Sequence, residues 1–380
     1  MPTLRFVSAG AAQGLVGSVA RAAEVTVEGS FGAVGAMLDK YRAGEACDLV
    51  ILTHAQVTAL AAEGKVDPRS CADLGSVATS IAVRAGESAP VVKDGESLRA
   101  ALLAAESIYT PDTAKSTAGG HVAKVLAKLG LDADAGGRLR MFPNGATAMR
   151  AMAASNDKAI GCTQATEIIA TPGARLVAPL PKGYDLETVY TAAVNLAGRR
   201  APAAAFLERL AGYGSHDTRA AAGFAGYAIR PVTPADFAAI RALVLATLHD
   251  YGLTPDPAGT DRDLDDPIAH YVQRGGLFDV AVDANGQFAG CCGLYPLEGG
   301  TCELRKMYLA REARGHGVGK RLLERALAFA RGLGFRRVEL ETASVLERAI
   351  GMYTAAGFRP LERRPETARC DQAYALELPQ

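Results

Sequence analysis

The sequence predicts an α/β protein of two domains, each built on its own sheet. Three observations predict it. Up to about residue 225, short apolar runs alternate with Ala-rich stretches of helical period. From Tyr227 onward that alternation gives way to closely spaced apolar runs joined by turn residues. The chain is also 380 residues long, more than a single hydrophobic core usually serves.

Taken in order, "LRFVSAG", "CDLVILT", "SIAVRAG", "SIYTPD", "KAIGCTQ" and "ARLVAPLP" read as strands that end in small or polar residues. "AQGLVGSVARA", "AVGAMLDKYRAG", "VTALAAEGKV", "GGHVAKVLAKLG", "GATAMRAMAAS" and "AAAFLERLAGY" read as the helices between them. Such alternation predicts parallel sheets covered by helices on both faces, with ligands beyond the carboxyl ends of the strands. The second domain opens with a strand at Tyr227–Pro231. Thr233, Pro234 and Asp236 then form a helix start, as N-cap, first position and N3 of a capping box. Asn285-Gly286 supplies the turn of a hairpin within "LFDVAVDANGQFAGCCGLYPLEGGTCELRKMYL". The boundary is placed near Gly226, giving domains 1–225 and 226–380.

Composition narrows the function. The chain is 49% hydrophobic, and 41 basic residues balance 41 acidic ones. The basic face of a nucleic-acid binder is absent, and no run reaches the roughly 18 apolar residues of a membrane span. Cys47, Cys71, Cys162, Cys291, Cys292, Cys302 and Cys370 are scattered and odd in number, with no CxxC pair. They suit small buried hydrophobes rather than a disulfide framework or a zinc site. The N-terminus has no basic leader followed by a long apolar run, so a cytoplasmic protein is expected.

The chemistry is concentrated in "REARGHGVGKRLLERAL", Arg311–Leu327. A Walker A loop needs four residues between its glycines and a Ser or Thr after the Lys; here three separate Gly315 from Gly319, and Arg321 follows Lys320. A dinucleotide fingerprint needs a third glycine where Lys320 stands. What remains is Arg-x-x-Gly-x-Gly in its broad sense, between a strand and a helix. Glycines there let backbone N–H groups converge on a pyrophosphate at the start of a helix. A glycine-rich turn without a ligand is the alternative.

The flanks favour the first reading. The strand "CELRKMYL", the loop Arg314-Gly315-x-Gly317-x-Gly319, the strand "FRRVELETA" and Ala349-Ile350-x-x-Tyr353-x-x-x-Gly357-Phe358 follow one another. Over residues 227–378 this order resembles the GNAT acetyltransferase superfamily. The resemblance implies acetyl-CoA as co-substrate, with its pyrophosphate on the amides of Gly315, His316, Gly317, Val318, Gly319 and Lys320 beside Arg314. Its pantetheine arm would pair with a splayed strand at Met307, Tyr308 and Leu309. Tyr353 stands where the family keeps the tyrosine that protonates the leaving thiolate, and Glu303 where some members carry a general base. Leu346 replaces an asparagine that many members have. A small amine or amino acid is the implied acceptor, a protein amine the alternative, and pairing of GNAT sheets makes a homodimer an expectation. The acidic "TPDPAGTDRDLDDP" reads either as a field that draws an ammonium group or as a solvated, mobile loop.

The first domain carries a looser resemblance. "LRFVSAGAAQGLV", "GSFGAVGAMLDKYRAGEACDLVILT" and "RLVAPLPKGYDLETVYTAAV" resemble the molybdate-type periplasmic solute-binding proteins. The resemblance implies two α/β lobes, the second at about 79–176, with a ligand between them. Ser8, Ser30, Thr53, Ser116, Thr117, Thr163 and Gln164 are then the candidate ligand hydroxyls and amides, although capping of turns and helices explains any one of them equally well. His121 and Lys115 read either as anion contacts or as surface residues. Ala33-Val34 replaces the serine pair that often follows Phe31-Gly32, which argues against molybdate and for another small anion or carboxylate. No metal is expected. The combined reading is an N-acetyltransferase fused to a domain that senses or presents a small molecule. A non-catalytic acyl-CoA sensor and a transport-associated binding protein are the alternatives.

Overall fold

The computed structural model describes residues 2–131 and 135–379. It divides into two compact units, one of Met1–Val57 with Asp73–Gly226 and the other of Thr58–Ala72 with Tyr227–Gln380.

In the first unit β1 (Thr3–Ala9), α1 (Gln13–Ala22), α2 (Val34–Arg42), β3 (Leu49–Thr53) and the start of α3 (His54–Ala62) stand where the sequence places them, and β2 (Thr26–Gly32) is a strand the sequence reading did not include. β4 (Ala72–Arg84) leads into α4 (Gly95–Ala104), β5 (Ser107–Pro111), α5 (Thr117–Lys128), β6 (Leu139–Phe142), α6 (Gly145–Ala154), β7 (Ala159–Gln164), α7 (Ala165–Ile169) and β8 (Ala174–Pro179). β9 (Glu187–Val194), α8 (Arg200–Ala211) and α9 (His216–Ala221) complete the unit. The strand order is β2-β1-β3-β9-β4-β7-β5-β6, with β8 also beside β4.

The expectation of purely parallel sheets is corrected here. β1 pairs in parallel with β2 and β3, and β5 with β6 and β7. β9 runs antiparallel to β3, and β4 antiparallel to β7 and β8. β4 takes the chain out to the second group of strands and β9 returns it, so each opposes its neighbours. Phe6, Val7, Leu49, Val50, Ile51 and Leu52 are fully buried, as is all of β5, because helices cover both faces. Ser116 and Asn144 cap α5 and α6 by accepting the N–H of Gly119 and Thr147.

The second unit contains β10 (Ala228–Pro231), α10 (Phe237–Asp250), β11 (Leu277–Val282), β12 (Phe288–Pro296), β13 (Thr301–Leu309), α11 (Val318–Gly332), β14 (Arg337–Thr342), α12 (Glu347–Ala355), β15 (Arg359–Pro360) and β16 (Gln372–Glu377). Its sheet runs β10-β11-β12-β13-β14-β16-β15, with β13 and β14 parallel. The capping box forms: Asp236 accepts the Thr233 N–H at 2.7 Å and its hydroxyl at 2.8 Å, and Arg230 forks onto the same carboxylate. Gly286 takes φ 75° in the predicted hairpin, where Asp283 N–H bonds the Gln287 carbonyl. Leu322, Leu323, Ala326, Leu327 and Phe329 of α11 form the core on one face, at helical spacing. Ile240, Val244 and Leu248 of α10 pack with Tyr271 and Phe278 in a second cluster.

The functional feature of this sheet is a split. β13 pairs with β14 over Thr301–Leu304 and then continues to Leu309 without it. A register shift against β12 at Cys291–Gly293 and a left-handed Lys306 (φ 52°) mark the point of departure. The backbone edge of Arg305–Leu309 that β14 would have paired is left unladdered. All seven cysteines are free thiols, six of them buried. Among the described residues no helix is long and apolar enough to cross a membrane.

Candidate active site and solute cleft

The glycine loop is shaped for a ligand. Gly315 and Gly317 take φ 86° and 73°, and no atom lies within 4 Å of where a Cβ would stand on either. Gly317 is the left-handed N-cap of α11, and Arg321 N–H makes the first return bond to its carbonyl. The amides ahead of Arg321 therefore have no helix partner and face an open loop at the positive end of the helix. Arg314 lines the groove that leads from this loop and is also anchored by the protein itself. Its Nε and Nη2 bond the Leu309 carbonyl at 3.2 and 3.0 Å, and its Nη1 the Tyr251 hydroxyl at 3.2 Å. It ties the loop to the end of β13. His316 is exposed and 5.7 Å from the Tyr227 ring, and Lys320 pairs loosely with Glu324.

From the loop a groove of about 440 Å³ runs past Met307, Tyr308 and Leu309 to Met352 and Tyr353. Leu346 and Arg348 line it as well. Arg348 is a cation at this groove that sequence reasoning missed; nothing near it in the chain marks it out from other surface arginines. A second pocket of about 510 Å³ lies beyond, walled by Glu303, Arg305, Glu339 and Glu341 from β13 and β14 and by Arg363 and Arg369. Met307, Tyr308, Leu346, Ala349 and Tyr353 line both spaces, so the two meet at Tyr353. The tyrosine is 6% exposed, and its hydroxyl has no hydrogen-bond partner among the described residues. Burial pushes the phenol well above its usual value, so it remains protonated.

Glu303 faces the second pocket and accepts from Arg305 Nη2 at 2.5 Å. Arg305 in turn stacks on Tyr295 at 4.5 Å. The acidic loop is exposed over residues 254–260, but two of its acids, Asp261 and Asp263, are buried. Asp261 is 4% exposed; it accepts Lys306 Nζ at 2.7 Å and both terminal nitrogens of Arg369 at 2.7 Å. Tyr271 donates to Asp263, Arg241 pairs with Asp265, and Asp256 and Asp266 accept local amides. Lys306 also donates to the Thr260 carbonyl at 2.6 Å, so the left-handed residue at the split is held by the loop.

In the first unit the candidate hydroxyls are mostly committed. Ser8 donates to the Ala9 carbonyl, and Thr53 shares Gln56 Oε1 through both its N–H and hydroxyl. Ser116 caps α5, and Thr117 is its first residue. Ser30 lies on the edge strand β2 and its hydroxyl accepts Lys40 Nζ at 2.7 Å. His121 bonds the Tyr184 carbonyl. Thr163 and Gln164 are different. Both are buried at the end of β7, and Gln164 Oε1 has no partner among the described residues. Thr163 donates at 2.6 Å to Glu167, which sequence reasoning missed. The Glu167 carboxyl, 7% exposed, lies against the start of α6. A Cβ on Gly145 would overlap it, and one on Gly10 would lie 2.9 Å from it. Burial raises its pKa, against the lowering effect of the Thr163 hydroxyl and of the nearby amides of Ala146, Gly145 and Gln164. A protein carboxyl thus lies at the start of α6, where an external anion would be drawn. Across the same unit, Gly35 N–H at the start of α2 bonds the Lys115 carbonyl ahead of α5. The strand–Thr-x-x-x-Glu spacing was visible, but not that the glutamate turns back onto another helix.

Comparison with known proteins agrees with both halves. The family model for bacterial extracellular solute-binding proteins matches residues 7–225, and that for the acetyltransferase (GNAT) family matches residues 245–358. The uncharacterized N-acetyltransferase YjgM of Escherichia coli (strain K12) is 37% identical over 139 residues, 35% of this chain and 83% of that protein. An aconitate isomerase of Pseudomonas sp. is 28% identical over 202 residues, 50% of this chain and 75% of that protein. The periplasmic molybdate-binding protein of Azotobacter vinelandii aligns in structure over 58% of this chain and 98% of its own, at TM-score 0.47 and 19% identity. The chain belongs to the bacterial extracellular solute-binding protein family through its first unit and to the GNAT acetyltransferase family through its second. It is an acyltransferase with acyl-CoA as its class of donor, joined to a domain that binds a small solute.

Proposed function

We propose that the second unit transfers the acetyl group of acetyl-CoA to the amine of a small molecule. We further propose that the first unit senses or presents a small carboxylate. The observation that carries the transfer reading is the meeting of the donor groove and the second pocket at Tyr353. The open amides of the glycine loop suit a pyrophosphate, and the unladdered edge of Met307–Leu309 suits the amides of a pantetheine arm. Acetyl-CoA supplies an activated acyl carbon at the junction. The amine nitrogen attacks that carbon, the C–N bond forms and the C–S bond breaks. Glu303 takes the first proton, which the ammonium loses before attack; Tyr353 gives its phenolic proton to the departing sulfur and is reprotonated by the second proton, which the nitrogen sheds as the amide forms. The high pKa of the buried tyrosine keeps the proton available until negative charge develops on sulfur.

For the first unit, Glu167 against the start of α6 leaves no room there for a tetrahedral dianion. The aconitate isomerase relative acts on a tricarboxylate, which supports a carboxylate ligand here. A cytoplasmic location is part of this reading, because acetyl-CoA is the donor.

Tyr353→Phe tests the transfer reading. Turnover should fall by about 10²- to 10⁴-fold. The rise in melting temperature with acetyl-CoA should persist. Unchanged turnover would remove Tyr353 from the chemistry, and no response to acetyl-CoA in the native chain would remove the donor.

A further inference from the structure

The second pocket is lined by charges of both signs. The side chains of Glu303, Glu339 and Glu341 are 12%, 17% and 5% exposed, that of Arg369 is 11% exposed, and those of Arg305 and Arg363 are each 36% exposed. Arg305 and Arg363 are therefore the more accessible of these charged side chains. Arg363 places two nitrogens on Glu341 and Glu339, and Arg369 places two on Asp261. Arg305 places one on Glu303, and its other N–H donors meet no acceptor among the described residues. Stacking on Tyr295, itself held by Arg274 at 2.8 Å, fixes the plane of this guanidinium. A planar cation with free donors, held in place at a pocket, is suited to bind a carboxylate through two parallel bonds.

Glu303 and Arg305 are in direct contact, so a complementary ligand needs a positive and a negative group equally close together. An α-amino acid has them, one carbon apart. A polyamine does not, and its second ammonium would meet the accessible guanidiniums. We propose that the acceptor is a free α-amino acid, its carboxylate read by Arg305 and its amine lying against Glu303 toward Tyr353. Leu297, Leu304 and Leu346 line the remaining space and fit an apolar side chain. This inference rests on the reading of Tyr353 as the junction of donor and acceptor.

The test compares the standard α-amino acids with their carboxamides, using the full chain and saturating acetyl-CoA. The carboxamide keeps the amine and side chain but loses the negative charge. At neutral pH its less basic amine is the more available nucleophile, so chemistry alone favours the amide. The expected result is the reverse, with kcat/KM for the acid at least about tenfold higher. Arg305→Gln should lower that value for the acid by roughly 10- to 100-fold more than for the amide, the extra loss appearing mainly in KM. Arg305→Lys should restore part of it. Amides that match or exceed the acids overturn the proposal, and so does an Arg305→Gln loss equal for both. Transfer to simple amines but to no amino acid overturns it while leaving the transfer reading intact. Absence of transfer to every acceptor, with no acetyl-CoA binding, removes the transfer reading and this proposal with it.

Discussion

At the scale of single residues, buried charge does most of the positioning around the proposed transfer site. Burial alone would raise the Asp261 carboxyl, but Arg369, the Asp256 amide and Lys306 outweigh it and hold it at about 2. A carboxyl lowered in the folded state stabilises fully above its unfolded value of 3.8, and that stabilisation disappears as pH falls through about 2. Asp261→Asn should therefore melt below the native chain at pH 7, with the gap closing between about pH 4 and pH 2. Melts of both chains across that range check it; a gap independent of pH would show that packing, not charge, is what Asp261 supplies. Tyr353 is the opposite case. Burial raises the phenol, so kcat should show no alkaline limb from Tyr353 up to about pH 10, its unperturbed value. A limb below that pH that vanishes in Tyr353→Phe would contradict it.

At the scale of elements, the glycine loop and α11 were legible because spacing carries their physics. Only a residue free of Cβ strain sits easily at φ 73° as the N-cap of α11, and "RGHGVGK" announces that ahead of an amphipathic helix. Gly317→Ala should weaken acetyl-CoA binding, and the left-handed backbone should cost about 1–2 kcal/mol of stability. Titration calorimetry and denaturant unfolding separate the two effects; unchanged affinity would mean that the loop does not carry the donor phosphates. The split of β13 from β14 was expected only through family resemblance. Its local cause, a left-handed lysine held by Asp261 and Thr260, joins residues 45 or more positions apart and has no local signature. Arg314 shows the same limit. Its place at the donor groove was expected, but its clamp on the Leu309 carbonyl was not.

At the scale of the whole molecule, two families share one chain, and each unit has its own ligand chemistry. A ligand at a hundredfold its dissociation constant stabilises its unit by roughly 2.7 kcal/mol, enough to read in a melt. A tricarboxylate should raise the melting transition of the first unit, whereas sulfate or molybdate should not, because the Glu167 carboxyl already lies against the start of α6. Glu167→Ala should make the unit responsive to sulfate. A native chain that responds to sulfate as strongly as to a tricarboxylate would exclude this account of the cleft.

The sequence by itself determined most of the elements, though not β2, α4, β6 or β9, together with the change of architecture at Tyr227 and the loop that opens α11. Those features depend on residues a few positions apart, where periodicity, capping and glycine spacing act directly. Tertiary structure alone decided the mixed strand directions, the burial of Asp261 and Asp263, the pairing of Glu303 with Arg305 inside a shared pocket, and the carboxyl of Glu167 against a neighbouring helix. A side chain's partners across a fold depend on how strands and helices stack. Burial then converts those partners into protonation states that no local pattern encodes.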